Sequence, residues 1–353
     1  MKKNIYVALV MVTFLLLTGC SKLTTPNNPP PSGTEGSNPT ENATKSKIEN
    51  YYPFEKDVKY SYDGVGNEYA TYSVYVDYMK ENRQQIRVNN GGTETVKVLE
   101  NKDGELRLIF SKGETYFRED FTSKVNDKAD VLLKEPLIKG TSWTALDGSA
   151  RSITDVKVPV TTPLASYECI EVTTVSKEST IKDYYAVNVG LVKTIFTSNG
   201  TEVSSSLSKM QKNTPHIQNV KFYFPNGNDS FNYSTNKELS FKTNDITKEA
   251  FEKHFKEAPN SNLGTLMSPN AKINSLYLNE DNMVYVDFSK EFTKEMNAGS
   301  GYESQILQCI ANTLGDYYAV QKVYITVEGQ PYSSGHIEMK KGESFNVDYK
   351  NTK

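Results

Sequence analysis

The stretch Asn282–Phe292, NMVYVDFSKEF, decides how the C-terminal part of the chain folds. Apolar side chains occupy every second position from Val284 to Phe288, which is the period of a β-strand with one buried face. Tyr285 and Asp287 then point to the opposite face, toward solvent or a partner. The stretch therefore predicts a half-buried strand with an acid on its outer face.

Asp287 and Glu291 raise the question of a catalytic carboxylate pair. Glu291 lies in the connection after the strand, so the sequence fixes no separation between the two carboxylates, and carboxylate catalysis depends on that separation. Hydrogen bonding of Asp287 at the strand end is the simpler interpretation. We therefore assign no catalytic residue, and we place a candidate interaction surface at Tyr285, Asp287 and Ser289.

The segments on either side of this strand extend an α+β domain over residues 216–350. Lys272–Leu278 forms a hairpin with the central strand, and two helical patterns flank that hairpin. The order is ββαββαβ, an α+β sandwich with helices on one face of a mostly antiparallel sheet. The other predicted strands are Val220–Phe224, Glu238–Lys242, Lys322–Val327 and Phe345–Tyr349.

Both helices of this domain have local start signals. Thr247 is placed as an N-cap, with Ile246 and Phe251 at the spacing of a hydrophobic staple. Ser300 and Glu303 have the spacing of a capping box, in which each side chain binds a free backbone amide of the first turn. The sequence therefore predicts that these polar side chains cap their own helices.

Four phrases in this part of the chain resemble, in order and spacing, the sporulation and spore germination domain, the GerMN family. The resemblance implies an interaction module outside the cytoplasmic membrane, similar to ring-building modules of envelope-spanning sporulation complexes, and it implies no catalytic residues. Family members often carry two copies, whereas this chain shows one copy after an unrelated β-rich domain, which leaves the sporulation role open. The phrases are Val220–Pro225, Val284–Ser289, Glu303–Leu314 and Lys322–Pro331.

Residues 49–212 have the pattern of an all-β domain, with period-two alternation and frequent turn signals. Asp103-Gly104 separates two such runs, and this dipeptide is the strongest short-range signal for a hairpin. About nine or ten strands with little helix predict one antiparallel sheet, curved or barrel-like so that its edges are hidden. Gly140–Trp143 and Tyr184–Lys193 resemble phrases of β-rich domains in Gram-positive surface lipoproteins, which assigns no activity. The predicted runs include Tyr69–Met79, Glu94–Leu99, Glu105–Phe110, Thr115–Arg118, Arg151–Val160, Ser166–Val175, Ile181–Ala186 and Leu191–Thr197.

Residues 1–19 have the features of a signal peptide, because two lysines precede an uncharged apolar run that is too short to span a membrane. Leu17-Thr18-Gly19-Cys20 resembles the lipobox of bacterial lipoproteins, which implies that Cys20 is lipidated and begins the mature chain. Residues 20–48 are poor in apolar residues and rich in proline, so we predict a disordered tether. The chain is then extracytoplasmic, and its N-terminal lipid anchors it to the outer face of the cytoplasmic membrane.

The sequence contains no recognisable motif for catalysis, for metal binding or for a cofactor. Its three histidines, His216, His254 and His336, have no metal-ligand spacing to another His or Cys. Cys169 and Cys309 fall in different predicted domains, so two buried thiols are expected rather than a disulfide. With 43 acidic against 40 basic side chains, the chain offers no electrostatic footprint for nucleic acid.

Three function classes remain open from the sequence. The leading one is a non-enzymatic, lipid-anchored scaffold or adaptor of an envelope complex that contacts an envelope protein or another copy of itself, and a role in sporulation, in germination or in the vegetative envelope is left open. The alternative is binding of cell-wall glycan (peptidoglycan) or of lipid by the β-rich domain, because the 23 tyrosines supply rings that pack on sugars, although tyrosine is also a common strand former. The third is a hydrolase, which needs a cleft with converging titratable groups.

Overall fold

A computed structural model describes residues 46–353 of the chain. The predicted signal peptide at residues 1–19, the predicted lipidation site Cys20 and most of the predicted tether at residues 20–48 lie outside the described residues. The first described element is a single helical turn, α1 (Ile48–Tyr51), whose Ile48 side chain is buried.

Twelve strands of the β-rich half form one antiparallel sheet, because their alternating apolar residues give each strand one face to bury. Two six-strand meanders make up the sheet, and β1 pairs with β12 in its middle, so that the order runs β6-β5-β4-β3-β2-β1-β12-β11-β10-β9-β8-β7. The strands are β1 Lys59–Val65, β2 Tyr72–Lys80, β3 Arg83–Asn89, β4 Glu94–Lys102, β5 Glu105–Lys112, β6 Asp130–Lys134, β7 Ser142–Thr144, β8 Ala150–Thr161, β9 Ser166–Val175, β10 Ser179–Ala186, β11 Gly190–Ser198 and β12 Thr201–Gln211. A 3-10 turn, Glu68–Ala70, precedes β2.

The two edges of this sheet meet through side chains. The indole N–H of Trp143 in β7 donates to the carbonyl oxygen of Val131 in β6 at 2.8 Å. Arg151 in β8 forms an ion pair with Asp130 in β6, with 3.2 Å between the charged atoms. These contacts join the two ends of the curved, nearly closed sheet, and closing a sheet in this way is one means by which proteins protect unpaired strands. The curved antiparallel sheet predicted from the sequence is confirmed.

The Asp103-Gly104 turn joins β4 to β5 as the sequence predicts. Lys102 pairs with Glu105, so the loop has two residues, and φ is 54° at Asp103 and 71° at Gly104. Positive φ at both central positions defines the type I′ turn, whose twist matches that of the flanking strands. The next predicted strand, Thr115–Arg118, is wrong, because the chain leaves the sheet there and packs its side chains elsewhere.

The C-terminal part is an α+β assembly, as predicted, with a separate hairpin, β13–β14, and a mixed sheet, β15–β19. Strands β16 and β17 are parallel because helices connect them, and the other pairs are antiparallel. Compared with the order ββαββαβ, the structure has three further elements, α3, β18 and β19, of which only β19 corresponds to a predicted strand, Phe345–Tyr349. No helix within residues 46–353 is long and apolar enough to cross a membrane. The elements are β13 His216–Pro225, β14 Asn232–Phe241, α2 Thr247–Phe255, β15 Ile273–Leu278, β16 Val284–Phe288, α3 Glu291–Lys294, α4 Ser300–Tyr318, β17 Lys322–Val327, β18 Gln330–Pro331 and β19 Phe345–Asn346.

The apolar core of this part extends onto the outer face of the β-rich sheet. Val96 and Val98 of β4 and Phe117 and Phe121 of the segment after β5 belong to the same buried cluster as the helices and sheets of the C-terminal part. Side chains of β4 that alternate with these valines face the interior of the curved sheet instead. One strand therefore contributes to two cores, one on each face.

Arg118 lies fully buried at this junction and binds both parts of the chain. Its guanidinium donates to the backbone carbonyl of Asp77 at 2.8 Å and to that of Lys242 at 3.1 Å. The same group packs over the ring of Tyr78, 4.1 Å from the centroid, and donates to its hydroxyl. A single side chain thus satisfies polar groups of β2 and of the segment that follows β14.

Both predicted helix caps are wrong, for one physical reason. Thr247 is the first residue of α2 rather than its cap, and its hydroxyl donates to the backbone carbonyl of Arg118 at 2.9 Å. The proposed staple residue Ile246 is half exposed. Helix α4 has Gly299 as its N-cap, and the side chain of Glu303 turns inward instead of toward the first turn. Long-range hydrogen bonds have replaced the local ones.

Candidate functional site

Three tyrosines lie side by side on the outer face of the mixed sheet, one on each of its neighbouring strands β15, β16 and β17. Tyr277 pairs with Tyr285, and Tyr285 pairs with Tyr324. The ring centroids of Tyr277 and Tyr285 are 5.6 Å apart in a stacked arrangement, and those of Tyr285 and Tyr324 are 5.0 Å apart edge to face. We call these three residues the tyrosine row. Tyr277, at its end, is 39% exposed.

Tyr285 therefore lies on the outer face of β16, the face that the period-two alternation of the sequence predicts for it. Its hydroxyl donates to Asp281 Oδ2 at 2.8 Å, and this hydrogen bond raises the pKa of Tyr285. The phenol stays protonated at neutral pH, so Tyr285 adds a neutral hydroxyl to the aromatic faces of the row. Such side chains are enriched where proteins contact other proteins.

Asp287 lies on the same face, and its carboxylate is fully engaged. Oδ1 accepts from the hydroxyl of Thr326 at 2.6 Å and from the backbone N–H of Gly329 at 2.7 Å. Oδ2 accepts from the side-chain amide of Asn274 at 2.9 Å. Asp287 thus holds the β17–β18 turn against β15 and β16. This is the strand-end hydrogen bonding that the sequence favoured over a catalytic carboxylate pair.

Ser289, the third residue of the predicted surface, is buried at the end of β16. Its hydroxyl oxygen accepts from the backbone N–H of Lys272 at 3.0 Å, and its own N–H donates to the Lys272 carbonyl at 2.9 Å. The hydroxyl also hydrogen-bonds Glu291 and lowers the pKa of that carboxyl. Asp287 and Glu291 therefore have separate sets of partners, and Ser289 fixes the strand end beneath the surface.

A cluster around Glu303 is the polar feature that the sequence did not predict. The Glu303 carboxylate is buried, and Oε1 accepts from the hydroxyls of Tyr332, at 2.7 Å, and Ser334. Oε2 lies 2.8 Å from His336 Nδ1. Burial alone would raise the pKa of Glu303, but the bonds from Ser334, Tyr332 and His336 outweigh it, and the pKa is lowered. We call these four residues the Glu303 cluster.

The arrangement of the Glu303 cluster differs from that of a serine nucleophile with its base. Ser334 and His336 each bind the same carboxylate, whereas nucleophilic catalysis requires the serine hydroxyl to bind the histidine. The cluster ties the loop after β18 to the first turn of α4. No spacing rule links Glu303 to a loop about 30 residues later, so only the folded chain brings these groups together.

The two described cysteines are buried and free, as the sequence predicts. Burial raises the pKa of Cys169 to about 12, and it also raises the pKa of Cys309. Both thiols are therefore protonated at neutral pH, and a protonated thiol is a poor nucleophile. Within residues 46–353, no group of three or more His, Cys, Asp and Glu side chains is placed to hold a metal ion.

Comparisons with solved structures find similarity to GerMN domains and to a lipoprotein. The tandem GerMN domains of the sporulation protein GerM from Bacillus subtilis match at 18% identity and a TM-score of 0.30, over 36% of this chain and 46% of that chain. The first GerMN domain of the same protein matches at 19% identity and a TM-score of 0.28, over 36% and 97% of the two chains. A protein of Clostridium perfringens described as a putative lipoprotein matches at 16% identity and a TM-score of 0.25, over 38% and 88%. This chain thus spans less than half of the tandem structure.

No curated protein matches the sequence. A family model does match: residues 221–333 fit the model named Germane, described as sporulation and spore germination. The tyrosine row, Asp287 and the Glu303 carboxylate all fall within this range. The GerMN resemblance that the sequence indicated is confirmed over residues 221–333, where the chain carries a Germane domain.

Proposed function

We propose that this protein is a lipid-anchored component of the cell envelope whose Germane domain docks on a partner protein through the tyrosine row. The position of the row is the observation that carries the proposal. The opposite face of the sheet is filled by the apolar core, including Val284, Val286 and Phe288. The outer face, in contrast, presents stacked aromatic rings that supply a large contact area at a low cost in conformational entropy.

Two further observations support an envelope role. The description of the Germane family is sporulation and spore germination. The lipobox ending at Cys20, which lies outside the described residues, predicts an anchor on the outer face of the cytoplasmic membrane. An interaction module on such an anchor acts by holding partners at the membrane surface, and the proposal assigns the chain no reaction.

Crosslinking in intact cells, followed by purification of the membrane-bound form, tests the docking surface. The wild-type chain should yield a defined crosslinked partner, and the double variant Tyr277→Ser and Tyr285→Ser should lose it, because buried interface tyrosines contribute about 2 kcal/mol each, or about thirtyfold in affinity. Tyr116→Ser is the matched control, since Tyr116 is an exposed tyrosine of the β-rich half. It should retain the partner.

Two results would count against the proposal. If the double variant gave the same crosslinked species as the wild type, the tyrosine row would not be the contact surface. If only the chain itself were recovered, self-association would replace an adaptor role. The anchor is tested separately, because Cys20→Ser should move the chain from the membrane fraction to the soluble fraction.

A further inference from the structure

The curved sheet of the β-rich half encloses a cavity of about 370 Å³. Small-molecule sites typically have volumes of roughly 300–1,000 Å³ and a mostly apolar lining. Here most of the wall consists of aliphatic and aromatic side chains from eight strands, with Tyr52 and Pro53 just after α1, and its polar members besides the tyrosine hydroxyls are Gln84, Lys97 and Thr194. The cavity thus has the size and lining of a ligand site and lies far from the tyrosine row in sequence and in fold.

Four tyrosine hydroxyls along this wall have no protein partner. Within residues 46–353, the hydroxyls of Tyr52, Tyr60, Tyr72 and Tyr185 make no hydrogen bond to another residue, whereas that of Tyr62 donates to the Leu191 carbonyl at 2.8 Å. Of these four, Tyr185 is buried and the other three are partly buried, and a tyrosine in such a position normally finds a partner. Burial raises the pKa of Tyr60 to about 12, so its hydroxyl is a neutral donor. The wall is therefore apolar with several unused donors.

Lys97 of β4 also lines the cavity. In the described part of the chain, its ammonium forms neither a hydrogen bond nor a salt bridge, and burial lowers its pKa. The interior acid that influences it, Asp183, is already bound by the Thr194 hydroxyl at 2.6 Å, and burial raises the pKa of Asp183. An ammonium in an apolar enclosure without a bonded anion is costly, and an anionic ligand group would remove that cost.

We propose that the cavity binds a single-chain amphiphile with an apolar tail and an anionic head, of the class of the long-chain fatty acids. The tail lies against the aromatic wall, and the head binds Lys97 with the tyrosine hydroxyls as additional donors. The volume lies near the lower end of the range for ligand sites, which favours one chain over a two-chain lipid. The enclosed apolar wall also favours a lipid over a glycan, because a glycan needs many polar partners.

Titration with the fluorescent fatty acid cis-parinaric acid tests the site. The full chain carrying Cys20→Ser is used, because this change removes the chain's own predicted acyl groups. We expect saturable binding of one probe per chain. Palmitic acid should displace the probe, and methyl palmitate, which lacks the anionic head, should displace it much less effectively.

Two variants separate the head site from the tail site. Lys97→Met should weaken palmitate binding by about ten- to a hundredfold and leave methyl palmitate unchanged, because a hydrogen bond to a charged group is lost. Lys209→Met is the matched control, since Lys209 is exposed on β12, and it should bind as the wild type does. Val74→Trp should fill the cavity and abolish probe binding. Thermal unfolding followed by circular dichroism checks that each variant is folded.

Several outcomes would overturn the proposal. These are the absence of saturable probe binding, unchanged palmitate affinity in a folded Lys97→Met variant, and displacement of the probe by peptidoglycan fragments but not by palmitate. A comparison of two versions of the protein identifies the source of the bound acyl group. If the protein with intact Cys20 takes up the probe as well as the Cys20→Ser variant does, the ligand is a free amphiphile. If it takes up none, the acyl chain at Cys20, which has no anionic head, fills the site, and the proposal of an anionic amphiphile fails. The docking experiment is independent, since it concerns the Germane domain.

Discussion

Glu303 is a buried carboxylate that three side chains bind at once, and its energetic role follows from its lowered pKa. A carboxyl group whose pKa is lower in the folded state than in the unfolded state stabilises the fold above the unfolded value, which is about 4.3 for glutamate. That contribution is lost as the pH falls through the folded pKa. The Glu303 cluster should therefore hold the loop after β18 at neutral pH and release it in acid.

The variant Glu303→Gln tests whether the ionised Glu303 carboxylate stabilises the fold at neutral pH. Glutamine keeps the shape and its oxygen can accept from Tyr332 and Ser334, but it carries no charge and its amide nitrogen cannot accept from His336, so we expect the free energy of unfolding at pH 7 to fall by about 1.5–3 kcal/mol. The difference between wild type and variant should shrink toward zero as the pH is lowered below about 4. Urea unfolding at a series of pH values measures both quantities.

Glu280→Gln provides the control, because Glu280 is exposed in the turn between β15 and β16. It should change the free energy of unfolding by less than about 0.5 kcal/mol at every pH. A pH-independent difference between the wild type and Glu303→Gln would contradict the ionic role of the cluster and leave only a packing role.

At the scale of single elements, the turn between β4 and β5 depends on Gly104. Its φ of 71° is in the left-handed region, which costs a residue with a Cβ about 1–2 kcal/mol. Gly104→Ala should therefore lower the free energy of unfolding by about 1 kcal/mol, measured by urea denaturation. Gly113→Ala is the matched control, since an added Cβ there has free space and no left-handed φ is involved. Equal destabilisation by both changes would show that the turn geometry is not the cause.

The elements that were predictable are those whose signal is local. Period-two alternation located most of the strands, and Asp103-Gly104 fixed one turn, because both are properties of neighbouring residues. Thr247 and Glu303 have equally good local cap signals, yet Arg118 and the Glu303 cluster take their side chains. A one-dimensional pattern contains no information on such distant competitors.

The residues of the candidate site also divide into those that a local pattern predicts and those that depend on long-range strand pairing. Alternation placed Tyr285 and Asp287 on the outer face of β16, because facing direction is a property of one strand. The tyrosine row needed the pairing of β16 with β15 and β17, and those registers are long-range. Lys97 looked like any polar residue of an alternating strand, and it became notable only when the curvature of the sheet placed it on the wall of the cavity.

At the scale of the whole molecule, side chains of the β-rich half and of the Germane domain pack together in one buried apolar cluster. Val98 of β4 lies in the same apolar cluster as Phe222 and Ile310 of the C-terminal part. Phe117 contacts Tyr318, with ring centroids 5.0 Å apart. Separating the two parts would expose this apolar surface, so we expect them to unfold together, although the sequence has a domain-like change of pattern between β12 and β13.

Two spectroscopic probes can follow the two parts separately. Trp143, the single tryptophan, lies in the β-rich half, and the two longest helices, α2 and α4, lie in the C-terminal part. In urea, tryptophan fluorescence and helical circular dichroism should give coincident unfolding curves for the wild type, which is the test of a single cooperative transition. Curves with different midpoints would show that the parts unfold independently.

The variant Arg118→Met tests whether Arg118 couples the unfolding of the β-rich half to that of the C-terminal part. Loss of the guanidinium removes its hydrogen bonds to the carbonyls of Asp77 and Lys242, which keep only the backbone N–H groups of Asn244 and Asp245 as donors, and breaking a buried charged network costs about 3–5 kcal/mol. Arg107→Met is the matched control, because Arg107 is partly exposed and its ion pair with Glu105 contributes less than about 1 kcal/mol. We expect Arg118→Met alone to move the fluorescence and circular dichroism curves apart, since it loosens the junction and spares both cores. If the variant loses stability while the two curves stay coincident, the shared apolar cluster rather than Arg118 couples the two parts.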